Sequence, residues 1–154
     1  MKKLPAILLG FASLSLFSCA SYLADIPRYD ALLQAETEQD GRACIRQNDI
    51  RGYGMLDDEV VSIDARGRKK YYLATTVFQC HSLRTSFAAG FQGDFSELCG
   101  GGRDKIITPE EACPIKSIYE FGSREEAFAA FEKIEAQRAE LRKEAIEANK
   151  ANAQ

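Results

Sequence analysis

Val60-Val61-Ser62-Ile63-Asp64, then Ala65-Arg66-Gly67-Arg68, then Tyr71-Tyr72-Leu73-Ala74-Thr75-Thr76-Val77-Phe78: this stretch decides the fold class. Both flanks are rich in β-branched and aromatic residues, which suit a pleated, half-buried surface, and the glycine-bearing segment between them reads as a hairpin turn. Working outward, Lys105-Ile106-Ile107-Thr108 predicts a further short strand. In Ile115–Phe121 the alternation places Ile115, Ser117, Tyr119 and Phe121 on one face. Ile45 to Met55 predicts the first strand, broken or bulged at Gly52 and Gly54. Phe87, Phe91 and Phe95 are spaced for a helix while Gly90 and Gly93 oppose one, so periodicity leaves 84–98 open. Thr108-Pro109-Glu110-Glu111 carries a helix-start pattern, but Pro114 comes so soon after it that only a single turn fits. Residues 43–122 are therefore expected to be mainly β, a small antiparallel sheet or barrel-like domain.

Helical patterns flank this domain. Ser123 and Glu126 form a capping box, and Glu, Ala, Lys, Arg and Leu dominate the residues after it, so 123–154 is expected to be a long helix. Phe128, Phe131 and Ile134 make its apolar stripe, with only Leu141 and Ile146 beyond Arg138. The first turns should dock on the β domain and the remainder project, fray or meet a partner. Residues 19–42 read as a tether with a docking helix, opened by Pro27 with Asp25 nearby and continued by Tyr29, Leu32, Leu33 and Glu36.

The N-terminus speaks to compartment. Met1-Lys2-Lys3 is basic, and Leu4 to Phe17 is a 14-residue apolar run, too short for a comfortable membrane span and suited to a signal-peptide core. Leu16-Phe17-Ser18-Cys19 resembles the bacterial lipobox, although Phe17 stands where a small or β-branched residue is usual. The resemblance implies cleavage of residues 1–18, acylation of Cys19 by fatty acids such as palmitate, and anchorage to membrane lipid. Ala20, rather than Asp, implies the outer membrane and a periplasmic face. An ordinary secretory signal cut after Ala20 would leave a soluble periplasmic protein, and an uncleaved anchor is a third reading disfavoured by the short run.

The whole chain of 154 residues carries a net charge of −3, and losing Lys2 and Lys3 with the leader takes it to −5. Such acidity argues against a nucleic-acid partner, whose phosphates call for a basic surface.

Five cysteines resolve as one plus four. With Cys19 assigned to lipid, Cys44, Cys80, Cys99 and Cys113 all lie in the β domain, an even set that in an oxidising compartment reads as two disulfides. Three pairings are possible. The nested one, Cys44–Cys113 with Cys80–Cys99, is preferred: Cys44 and Cys113 precede the first and last strands, neighbours in a closed barrel, and Cys80–Cys99 would staple the glycine-rich excursion. No C-x-x-C is present for zinc or thioredoxin-like chemistry, and Cys80 and His81, adjacent in a strand, would point to opposite faces. No metal or cofactor is expected.

The remaining motifs admit bland readings. Cys99-Gly100-Gly101-Gly102-Arg103-Asp104-Lys105 fails as a phosphate loop because Ile106, not Ser or Thr, comes after the lysine. Asp57-Asp58-Glu59 reads first as a turn between strands and second as an acidic triplet that binds a cation or supplies paired carboxylates. His81 is a candidate general base, but Ser82 beside it is no activated nucleophile on spacing alone. The aromatics Tyr53, Tyr71, Tyr72, Phe78, Phe87, Phe91 and Phe95 either line a groove or fill the core.

Read together, Cys44-Ile45, Leu56-Asp57-Asp58, Tyr71-Tyr72-Leu73, Cys80 with Leu83, Leu98-Cys99 with Asp104, and Cys113-Pro114-Ile115 resemble a family of small uncharacterised secreted proteobacterial domains, often lipoproteins. The resemblance spans 44–121 and implies an exported, disulfide-bearing β domain, with no activity to carry over. Three functions stand as expectations. The leading one is a non-enzymatic, lipid-anchored periplasmic module that binds an envelope protein or supports the envelope. The others are an inhibitor of a cell-wall hydrolase or protease, by analogy of fold alone, and an enzyme using Asp57, Asp58, Asp104 and His81.

Overall fold

A computed structural model describes residues 26–67, 70–86 and 88–152. The leader, Cys19 and Phe87 lie outside the described residues. In chain order the elements are α1 (Tyr29–Thr37), β1 (Cys44–Arg46), β2 (Ile50–Asp57), β3 (Val60–Ala65), β4 (Tyr71–Thr76), α2 (Ser82–Thr85), β5 (Gly90–Gln92), β6 (Glu97–Cys99), β7 (Lys105–Ile107), β8 (Ala112–Phe121) and α3 (Arg124–Asn152). The fold is mainly β with a long C-terminal helix, as the sequence predicts.

Six strands form one antiparallel sheet in the order β2-β3-β4-β8-β7-β5. The sheet curls until its edges approach. Tyr53 on β2 meets Phe91 on β5 edge to face, with ring centroids 5.7 Å apart. Inside the curl lie Val61 and Ile63 of β3, Tyr72 and Ala74 of β4, and Ile106, Ile115 and Ile118 from β7 and β8. A second sheet, the ribbon β1-β6, adds Ile45 and Leu98 to this core. The outer face has its own core, in which Leu73, Tyr119 and Phe121 pack against Leu33 of α1 and Ala127 and Ile134 of α3. β4 is thus buried on both faces, which explains why Tyr72-Leu73-Ala74 shows no polar alternation.

The predicted single face of the last strand is corrected. Thr75 pairs with Ser117 but Thr76 pairs with Ile115, so Lys116 is an extra residue and the alternation changes phase there. Ile115 consequently faces the inner core, while Tyr119 and Phe121 face the helices. Two loops occupy the bulge. Gly41 accepts from the Ile118 amide at 2.8 Å, and the amides of Gly101 and Gly102 donate to Lys116 and Ile115 at 2.8 and 2.7 Å.

The nested cysteine pairing is also corrected: the bridges are Cys44–Cys99 and Cys80–Cys113. The reason is the break in the first predicted strand. A 3₁₀ turn at Gln47–Asp49 separates β1 from β2, and β1 leaves the main sheet to pair with β6, setting Cys44 directly opposite Cys99 at a Cα separation of 4.3 Å. Cys80 comes after β4, whose neighbour β8 carries Cys113, and their Cα atoms are 6.1 Å apart. The bridges therefore interleave along the chain.

The two helices are held by specific contacts. The Ser123 hydroxyl accepts from the Glu126 amide at 3.2 Å, the serine half of the predicted capping box, while the Glu126 carboxylate reaches past the cap residue to accept from the Gly122 amide at 2.9 Å. α3 stacks Phe131 on Tyr29 and lays the Arg138 guanidinium over the same ring, 3.7 Å from its centroid. Burial and a hydrogen bond to Glu135 push the Tyr29 phenol well above its ordinary pKa. At about 1.5 Å per residue α3 is some 43 Å long, and beyond Ile134 none of its described residues is buried. Thr108-Pro109-Glu110-Glu111 forms the β7-β8 hairpin loop rather than a helical turn: the Thr108 amide donates to Glu111 O at 2.9 Å, and the Glu111 amide donates to the Thr108 hydroxyl at 3.0 Å.

Candidate functional site

A groove of about 610 Å³ lies on the helix-side face of the sheet, between β2-β3 and the first turns of α3. Its floor is low because Gly52, Gly54 and Ser62 lie side by side, in the pairs Gly52–Asp64 and Gly54–Ser62. The Ser62 hydroxyl donates to Gly54 O at 3.0 Å, so the floor is self-satisfied. A Cβ added at Gly52 would meet nothing within 4 Å. Tyr71 and Phe128 form one wall, with ring centroids 6.1 Å apart.

Three cations line this groove: Arg51, Lys70 and Arg124. The register shift between Ile50 and Gly52 makes Arg51 the extra residue of a bulge, which re-aims its side chain from the inner core to the groove. Arg124 is the first residue of α3 and stacks on Phe128 at 4.9 Å. Lys70 lies 3.6 Å from Glu120. Asp64 is the one acidic residue in the lining. Sequence reasoning reads Gly52 and Gly54 as strand irregularities and Ala65–Arg68 as a turn, and so misses the groove. The available signal is charge: four cations in the five residues Arg66-Gly67-Arg68-Lys69-Lys70, in an acidic chain.

The residues considered for catalysis fall into two places. Asp57-Asp58-Glu59 forms the β2-β3 turn, where Asp57 Oδ1 accepts from the Glu59 amide at 3.1 Å. Asp58 lies 3.3 Å from His81 Nδ1 and accepts from Arg84 at 2.6 Å, while its carbonyl accepts from the Cys80 amide at 2.7 Å. His81 is largely exposed, at 72% of its side-chain surface. Beside it, the Ser82 hydroxyl and amide hold the Glu111 carboxyl below its ordinary pKa range, and Ser82 Oγ accepts from Thr108 at 2.9 Å. The pair Asp58–His81 is thus brought together, and Ser82 is engaged by other partners.

Asp104 joins none of them. It is buried, and its carboxylate accepts from the amides of Asp94 and Cys99. It thereby secures a loop in which Phe95 is fully exposed at φ 54° and Ser96 sits beside it at φ 62°. Glu97 and Glu111 each bring a carboxylate oxygen within 4.8 Å of the sulfurs of one bridge, but sulfurs bonded to each other are not the thiolate donors a metal ion needs. Of the other aromatics, Tyr72 is in the inner core, Tyr53 and Phe91 pack against it, and Phe78 is exposed beyond β4.

These features define a small, cystine-stapled, curled β-sheet domain backed by two helices, with a cation-lined groove at one end. The chain belongs to a family of unknown function, DUF6491, whose model matches residues 1–145. That match takes in the N-terminal segment and most of α3, well beyond residues 44–121. Comparison with curated proteins and with solved structures finds no match. Among the described residues, no helix is long and apolar enough to cross a membrane.

Proposed function

We propose that this chain is a lipid-anchored envelope protein, held by acylated Cys19 in the outer membrane and facing the periplasm, that acts as a non-enzymatic binding module. One observation carries the reading. Two bridges use four of the five cysteines, and the fifth closes the lipobox-like Leu16-Phe17-Ser18-Cys19.

The placement of the groove supports a binding role. After Cys19 the chain reaches the sheet at Arg28, whose guanidinium donates to Thr76 O at 3.0 Å, at the end of β4. The groove lies at the start of β4, beside Lys70 and Tyr71. Six residues of extended chain separate the two ends by about 17 Å. A tether joining the domain at Arg28 thus enters at the end of β4 remote from the groove, and leaves the groove open to periplasmic ligands.

Cys19→Ala should move the protein from the membrane fraction to the soluble periplasmic fraction. A Cys19→Ala protein that still sediments with membranes and resists alkaline or high-salt extraction would contradict the anchor.

A further inference from the structure

From the chemistry of the groove lining we infer that it is an oxyanion site, taking a phosphate or carboxylate group carried on a ring-bearing or apolar body. The inference rests on the binding-module reading and names the ligand class.

The first reason is charge. Arg51, Lys70 and Arg124 line a single groove in a chain whose net charge is −3, and the carboxylates beside them are Asp64 in the lining and Glu120, which pairs with Lys70, so the two guanidiniums supply the excess. A local excess of positive charge on an acidic protein concentrates anions at that place and nowhere in general. Among the described residues, neither Arg51 nor Arg124 makes a salt bridge, whereas Arg28, Arg46 and Arg84 are each paired with a carboxylate. The groove guanidiniums keep their donors for a ligand, and a planar guanidinium fork matches both carboxylate and phosphate oxygens.

The second reason is shape. Gly52, Gly54 and Ser62 leave the floor without bulky side chains, although flanking positions on the same strands carry Tyr53, Met55 and Ile63. The wall opposite is aromatic, Tyr71 and Phe128, and the Arg124 guanidinium carbon lies over the Phe128 ring, 4.9 Å from its centroid. An oxyanion bound by Arg124 would thus carry its body over Tyr71 and the glycine floor, where a ring or apolar group finds contact area. A volume of about 610 Å³ accommodates such a molecule.

The test is saturation-transfer NMR on the purified full chain, with phenyl phosphate and N-acetylphenylalanine as separate probes and inorganic phosphate as competitor. The two probes distinguish a phosphate from a carboxylate source. Saturable binding of at least one probe is expected, displaced by inorganic phosphate and weakened at least fivefold by raising NaCl from 0.05 to 0.5 M. Arg51→Gln and Arg124→Gln should each raise Kd at least fivefold. Gly52→Phe, which fills the groove and leaves all three cations in place, should raise it at least tenfold. Circular dichroism and thermal melting of each variant verify folding. Binding by neither probe, or binding unchanged in all three folded variants, would overturn the assignment. Neither result bears on the membrane fractionation that tests the anchor.

Discussion

Replacing Cys80 and Cys113 together by alanine should lower the unfolding free energy by about 4 kcal/mol from lost chain constraint, and by more once the vacated core volume is included. The bridge spans 33 residues, and both cysteines are wholly buried among the inner-core side chains. The Cys44–Cys99 bridge spans 55 residues, so its loss has an entropic effect of similar size, about 4 kcal/mol. Its environment differs: Cys44 is exposed and Cys99 half-buried at the ribbon. Under native conditions a small thiol reductant should therefore open Cys44–Cys99 first, with Cys80–Cys113 reduced only as the sheet unfolds. Guanidinium unfolding of the two double variants and timed alkylation during reduction measure both effects. Equal reduction rates for the two bridges would contradict this placement.

Gly100→Ala should cost about 3 kcal/mol or more, an unusually large effect for adding one methyl group. A Cβ at Gly100 would stand 2.0 Å from the carbonyl oxygen of Gly41, which is itself fixed by accepting from the Ile118 amide. Gly41 is a close-packed position in its own right: at φ 72°, a Cβ added there would stand 2.8 Å from the Ser117 side chain. The glycine loop and the segment before β1 cross at the β8 bulge, where together they satisfy backbone groups that the sheet leaves unpaired. Gly52→Ala provides the control, since open space surrounds that position, and its midpoint should stay close to that of the unchanged protein. Thermal or urea denaturation decides the matter: a Gly100→Ala midpoint equal to that of Gly52→Ala would show that the loops do not cross so closely.

The strands rich in β-branched and aromatic residues are legible from sequence because their propensity and burial agree. β3 and β4 pair antiparallel as read, although β4 ends at Thr76 and leaves Val77 and Phe78 outside it, and the Ser123 cap starts α3 where the pattern places it. What periodicity does not convey is phase. One extra residue at Lys116 sends Ile115 and Tyr119 to opposite faces, and nothing in the identities of Lys116 or Ser117 announces it. The nested cysteine pairing fails for a related reason. It assumes that the first strand joins the main sheet, whereas the turn at Gln47–Asp49 diverts β1 to β6. Disulfide geometry is set by tertiary neighbours, which four positions along a chain do not specify.

The groove is hidden in the sequence because its floor is built from residues noteworthy for lacking side chains. Gly52 and Gly54 look like weaknesses in a strand, and only with Ser62 opposite Gly54 and α3 alongside do they become a concavity. The catalytic candidates show the reverse. Asp104 stands out in sequence, yet it is buried and its carboxylate serves the backbone amides of Asp94 and Cys99.

Four cysteines staple the domain in interleaved pairs, and the role proposed for the fifth, Cys19, is to carry lipid. Mass spectrometry of unreduced peptides from protein extracted from membranes tests it most directly. Cys44 linked to Cys99, Cys80 linked to Cys113, and an acylated N-terminal Cys19 are the expected species. Peptides joining Cys44 to Cys113 and Cys80 to Cys99, or Cys19 found in any disulfide, would contradict it.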